Sequence, residues 1–218
     1  MKRLSSSENF FDIRLQRIFF DVLQENTISN EKIRDAFCIQ IMTGARPGEV
    51  VALKWKHVNF ETATLTIENT ARRTKEKPSK LVIDDTKTHC KRELHLSPDA
   101  LNILAARRLV DTDATPETLI FTNQRGGIIE PNSLNRYLRQ YKAKMKELVP
   151  EGVEIPDVTA HGLRHTFATR AMEKGIPLPI VSEWLGHSST RITGDVYSHV
   201  TSECSKSWQK KLDDIFKL

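Results

Sequence analysis

Thr159-Ala-His-Gly-Leu-Arg-His-Thr-Phe-Ala-Thr169 places two histidines and an arginine, His161, Arg164 and His165, within five residues. Its composition predicts a helix to about residue 174, stopped by Gly175. On a helix, positions i and i+3 share a face, so the His161 imidazole and the Arg164 guanidinium can converge on one point. A planar fork of donors beside a group that gives or takes a proton near neutral pH suits an anionic target. A surface helix with its basic residues in water reads equally well from these residues alone, so the rest of the chain must decide.

Outward from this stretch, two further segments carry chemistry. Upstream, Thr43-Gly-Ala-Arg-Pro-Gly makes a turn, and Pro47 suits the first position of a new helix. That sets Arg46 at the mouth of a helix, where anions are welcome. Downstream, Leu185-Gly-His-Ser-Ser189 offers His187 after a helix-stop glycine, and Tyr197 follows ten residues later. An anionic transition state at phosphorus needs fixed donors, and two arginines, Arg46 and Arg164, would supply them. Tyrosine is a poor nucleophile at its ordinary pKa of about 10, so Tyr197 needs cations or a base beside it. A lysine such as Lys87 can serve as general acid to a leaving hydroxyl. Each residue alone has a plainer use: Tyr197 in packing, His187 in capping, Lys87 in a solvated loop, Arg46 paired with Glu49.

The periodicity around these segments predicts a mostly helical chain with a small sheet. Apolar residues at helical intervals from 9 to 23 open the fold, and Asn30 caps a second helix to about Met42. Short alternating runs at 57–60, 64–67, 81–83 and 93–96 read as one small antiparallel sheet, with Lys87 on the hairpin turn between its last two strands. Ser97-Pro-Asp caps a helix to about Val110. Asn132 or Ser133 begins a basic helix to about Leu148, and helices follow at about 179–185 and 190–200. An amphipathic end carries Trp208, Leu212, Ile215 and Phe216. The fold class expected is α+β, mainly α-helical, with a small antiparallel sheet near the N-terminal third.

Charge is unevenly spread over the 218 residues. Between Ala71 and Arg92 there are eight cations against three anions, a local excess equal to the chain's net charge of +5. A second basic run, Arg136 to Lys146, has no acid among its charged residues. Clustered positive charge is the footprint of a polyanion partner, which makes Arg72, Arg73, Lys75, Lys91, Arg92, Arg136 and Arg139 candidates for phosphate contact. Three widely spaced cysteines argue for a reducing cytosol and against a disulfide framework or zinc site. No apolar run is long enough to cross a membrane, so the expected location is cytoplasmic.

The segments Thr43-Gly-Ala-Arg-Pro-Gly-Glu-Val50, Thr86-Lys-Thr88 before a basic strand, His161-Gly-Leu-Arg-His165, and Leu185-Gly-His187 with Tyr197 together resemble the tyrosine recombinase, or phage integrase, family. The match runs from about residue 10 to 200. The pattern is nearest to integrases of phages and conjugative transposons, where the ten-residue step from histidine to tyrosine is expected. The resemblance implies a catalytic domain over residues 1–202 and a helical tail over 203–218. The N-terminal core-binding domain usual in full-length relatives is expected to be absent, since only about forty-five residues precede Arg46.

By the same resemblance, Arg46 and Arg164 clamp the scissile phosphate, Tyr197 attacks it, and Lys87 protonates the leaving 5′ hydroxyl, with Lys91 the alternative. His161 takes part in deprotonating Tyr197, His187 hydrogen-bonds the phosphate, Glu49 braces the site, and His165 is structural. The implied activity is site-specific DNA strand exchange serving integration of a mobile element, through a 3′-phosphotyrosyl link, with no metal, ATP or other cofactor. The implied partners are double-stranded DNA, a homo-tetramer on paired sites with tail exchange, and an accessory directionality protein. A type IB topoisomerase-like enzyme would use the same chemistry, but the short length and the Leu-Gly-His pattern argue against it. The complete catalytic set argues against a recombinase-derived DNA-binding regulator.

Overall fold

The computed structural model describes residues 9–25, 31–85 and 91–186. Lys87, His187, Tyr197, the helix predicted at 190–200 and the C-terminal amphipathic segment lie outside the described residues.

Helix α1 (Ile13–Gln24) starts where Asp12 accepts hydrogen bonds from the Arg14 and Leu15 amides, and it buries Leu15, Phe19, Val22 and Leu23. Helix α2 (Glu31–Thr43) is buried nearly all round, which makes it the central element. Its one interior carboxylate, Asp35, is met by Arg107 at 2.7 Å and Arg34 at 2.8 Å. Phe11, Phe19, Phe37 and Tyr141 pack in a tilted and edge-to-face cluster beside it, with ring centroids 5.3–6.2 Å apart. After the turn at Gly44 comes the one-turn helix α3 (Pro47–Val50).

The strand region departs from a single sheet. β1 (Val58–Asn59), β2 (Thr64–Ile67) and β5 (Arg92–His95) form one antiparallel sheet in the order β1-β2-β5. β3 (Asn69–Arg73) and β4 (Leu81–Asp85) form a separate two-stranded ribbon. The pairing of β4 with β3, and of β5 with β2, corrects the expected hairpin between the last two strands: β4 and β5 belong to different sheets. β3 escapes the sequence reading because Ala71 is its only buried residue, so it shows no apolar alternation.

Helix α4 (Pro98–Val110) is capped by Ser97 as expected, and α5 (Ser133–Leu148) packs on α1 with Leu134, Leu138, Tyr141 and Met145 buried. Helices α6 (Gly162–Glu173) and α7 (Leu178–Leu185) close the described chain. α6 lies on α2, and α7 lies on α6 and β5. Between them Ala168, Ala171, Met172, Val181 and Leu185 form a small apolar cluster of their own. Among the described residues, no helix is long and apolar enough to cross a membrane. The α+β class stands, with the strands divided into a sheet and a ribbon.

Candidate functional site

The start of α6 is pinned from three sides. Gln40 on α2 donates to the Ala160 carbonyl at 2.7 Å, Asn135 on α5 accepts from the Ala160 amide at 2.8 Å, and Thr166 accepts from the Phe11 amide at 3.0 Å. The Thr159 hydroxyl accepts from the amide of Gly162, the first residue of α6, at 3.2 Å. These bonds fix His161 at the lip of α6 and send Arg164 into the protein one turn later.

Arg164 is 2% exposed. One terminal nitrogen donates to the Gly44 carbonyl at 3.0 Å, the other to the Leu185 carbonyl. The fork thereby ties the α2–α3 turn to the end of α7 and retains further N–H capacity. Arg46, at the start of α3, keeps 37% of its side chain exposed. It donates to Glu49 Oε1 at 2.8 Å and toward the Gly186 carbonyl at 3.4 Å. α3 is a single turn, so Arg46 is presented by these side-chain bonds more than by a helix dipole.

Glu49 is the anchor. It is 1% exposed, and its two oxygens take four hydrogen bonds: the Arg46 amide and guanidinium, each at 2.8 Å, and Arg92 at 3.1 and 2.6 Å. Burial alone would raise its pKa, but the hydrogen bonds and charge of Arg92, then those of Arg46, outweigh burial and hold the carboxyl below its ordinary range. Arg46, Arg92 and Arg164 surround this single carboxylate, so positive charge is in excess. Burial, followed by repulsion from Arg46 and Arg92 that Glu49 only partly offsets, lowers the Arg164 pKa. An added anion would relieve that repulsion.

His161 lies at the exposed edge of this group. Partial burial of its ring, then the charges of His165, Arg164 and Arg46, lower its pKa, so the neutral imidazole, able to accept a proton, is favoured near neutral pH. Its ring meets that of His165 edge-on, centroids 5.3 Å apart. The side-by-side partner of His161 is therefore His165 at i+4, while Arg164 turns inward to carbonyl groups that need donors.

The phosphate-contact candidates separate into two groups. Arg92, expected to face DNA, is turned inward onto Glu49 and donates to the Trp184 carbonyl at 2.7 Å, because a buried carboxylate and helix-end carbonyls outcompete solvent for its fork. Arg72 pairs with Asp84 and Arg73 with Glu130, so their charge is locally balanced. Lys75 is exposed beyond β3, and Lys91 is exposed with Glu68 at 3.8 Å. Arg136 and Arg139 are exposed on α5, with Arg136 over the Tyr137 ring at 5.1 Å. Arg73 and Arg136 line one cleft with Glu130 and Tyr137, which brings the two basic stretches together. The sequence carries no local sign of this structural use of Arg92, because its carboxylate partner lies 43 residues away.

Residues 18–203 match the family model described as the phage integrase family. A tyrosine recombinase XerC-like protein of Caldanaerobacter subterraneus subsp. tengcongensis is 27% identical over an alignment covering 96% of this chain and 54% of that protein. A probable integrase/recombinase of Methanocaldococcus jannaschii is 30% identical, covering 87% of this chain and 51% of its own length. Among solved structures, the Tn1549 transposon integrase in complex with transposon right-end DNA superposes with a TM-score of 0.76 at 20% identity, covering 97% of this chain and 68% of that one. The XerA recombinase superposes at 0.68 with 18% identity, covering 96% and 65%. The chain spans about half the length of the curated relatives it matches. With most of its length matched by one family model and its fold shared with recombinases, the chain belongs to the phage integrase family.

Proposed function

We propose that residues 1–202 act as the catalytic domain of a site-specific DNA recombinase that cleaves and rejoins double-stranded DNA through Tyr197. The observation that carries this reading is that Arg46, held on the buried Glu49, and Arg164, held on the Gly44 carbonyl, meet at the end of α7 from segments more than a hundred residues apart, with His161 one turn before Arg164. Excess positive charge held in fixed geometry suits a phosphodiester whose negative charge grows in flight.

In this mechanism Arg46 and the remaining N–H groups of Arg164 bind the non-bridging oxygens, assisted by His187. The Tyr197 oxygen forms a bond to phosphorus while the bond to the 5′ oxygen breaks. The tyrosine proton passes to neutral His161, and Lys87, or Lys91 in its place, gives a proton to the leaving 5′ oxygen. The phosphotyrosyl link keeps the energy of the broken bond, so a second 5′ hydroxyl reseals the strand by the reverse step. Lys75, Arg136 and Arg139 serve the DNA backbone, where each contact adds salt-dependent affinity. The working assembly is a homo-tetramer on paired sites with tail exchange through residues 203–218, joined by an accessory directionality protein, acting in the cytoplasm on nucleoid DNA for a mobile element.

Tyr197→Phe tests the reading. On a nicked suicide substrate the variant is expected to lose covalent protein–DNA adduct entirely while DNA affinity stays within about twofold, since only the nucleophile is removed. Equal adduct from the variant would end the proposal.

A further inference from the structure

The last three carbonyls at the end of α7 are shared among three arginines. Trp184 accepts from Arg92 at 2.7 Å, Leu185 from Arg164, and Gly186 from Arg46 at 3.4 Å. Carbonyls at a helix end lack intrahelical donors and carry partial negative charge, so guanidinium groups are apt caps. Arg46 and Arg164 already have a task in the proposed chemistry. Arg92 has none, yet all three of its nitrogens are committed: Nε to Trp184, Nη1 and Nη2 to the two oxygens of Glu49.

Its surroundings fit a fixed strut. The side chain is 9% exposed. Gly186 adopts a left-handed φ of +64°, and a Cβ there would lie 3.0 Å from Arg92 Nη1 and 3.3 Å from its Cζ. The guanidinium thus rests against the backbone of the residue that precedes His187. One planar fork joins the first residue of β5, the carboxylate that holds Arg46, and the end of α7. A lysine is a point charge and could meet only part of this set.

We infer that Arg92 is a positioning residue for strand cleavage: it orients Glu49, and through it Arg46, while holding the end of α7 in register with Arg164. This inference rests on the function proposed above. Arg92 meets no phosphate; it sets the residues that do.

The test uses the whole chain with Arg92→Ala and Arg92→Lys. Misplacing a clamp residue by about 1 Å costs on the order of 10²-fold in rate, so Arg92→Ala is expected to form adduct on the suicide substrate about 10²-fold more slowly with DNA affinity little changed. Arg92→Lys should recover only a small part. Ethylguanidinium, which can refill the hole between Glu49 and the Trp184 carbonyl, should restore at least about tenfold. Wild-type rates in Arg92→Ala, or a loss that ethylguanidinium leaves untouched, would overturn the inference.

A second readout needs no activity: the Arg46 side-chain N–H signal in ¹⁵N spectra of the DNA-free protein, assigned by its disappearance in Arg46→Lys. It is expected to be sharp in the wild type, averaged in Arg92→Ala, and restored by ethylguanidinium. An unchanged Arg46 signal refutes the positioning role whatever the enzyme does. Should the wild type make no adduct while this signal still depends on Arg92, the cleavage chemistry is refuted and the positioning stands.

Discussion

At Glu49 the balance between burial and pairing can be measured. A carboxylate this enclosed survives only because four donors meet its two oxygens. Glu49→Gln keeps the shape but turns an amide N–H₂ toward guanidinium donors and leaves two cations without their anion. Breaking a buried pair in this way costs about 3–5 kcal/mol, and urea denaturation at neutral pH should show a loss of that order. The pH dependence has a definite sign. The folded pKa of Glu49 lies below its unfolded value, so its contribution is complete above the ordinary carboxylate range and fades as pH falls through the depressed value. The stability gap between wild type and Glu49→Gln should therefore shrink on acidification; a gap that stays constant to about pH 3 would contradict the assignment. Sequence spacing alone exposed the Arg46–Glu49 pair, three positions apart on one turn. It could not expose Arg92, whose partner lies 43 residues away and is set by the route of a strand.

Between elements, Gly44 controls how closely the α2–α3 turn approaches α6 and α7. Its φ is +67°, and a Cβ would come within 2.4 Å of Phe167 Cδ1 and 2.8 Å of Leu185 Cδ2. Gly44→Ala combines a left-handed backbone cost of about 1–2 kcal/mol with overpacking of about 1–3 kcal/mol. It also displaces the carbonyl to which Arg164 donates. Thermal unfolding should reveal a clear drop in Tm, and a variant as stable as the wild type would show that the turn can move aside. The helices were legible because caps and periodicity are local: Ser97 at α4, Pro47 at α3, and Gly175 beyond α6 stand where expected. The strands were less so. Among the described residues, Asn69 to Arg73 pairs with β4 alone and buries one small side chain, so its strand state comes from a ribbon partner that no periodicity announces. The partition into sheet and ribbon is likewise a matter of pairing between distant segments.

Across the whole molecule, the site straddles two apolar clusters of unequal size. The main core gathers α1 to α5, the strands and the start of α6, whereas the two fully buried apolar residues of α7, Val181 and Leu185, belong to the smaller cluster, and its half-buried Trp184 packs against the main core. The last carbonyls of α7 are held by the Arg92, Arg164 and Arg46 bonds, beside Leu178 packed on the smaller cluster and the Phe167 and Trp184 rings with centroids 6.4 Å apart. Helix α2, buried nearly all round, opens only when most of the core opens. Local opening free energy follows buried apolar contact, so amides at 181–185 should exchange with deuterium at least about tenfold faster than those at 36–41. Equal protection in the two helices would mean that the arginine caps lock α7 as firmly as the apolar core locks α2. Under the proposed function the difference has a use, because the chain passes from α7 directly to His187 and, ten residues later, to Tyr197. A phosphate on Arg46 and Arg164 would load the same arginines that hold α7. Any ligand that prefers the closed arrangement stabilises it by mass action, so DNA carrying a cleavage site should slow exchange at 181–185 and leave 36–41 unchanged. An α7 whose exchange ignores such DNA would separate the arginine caps from substrate binding.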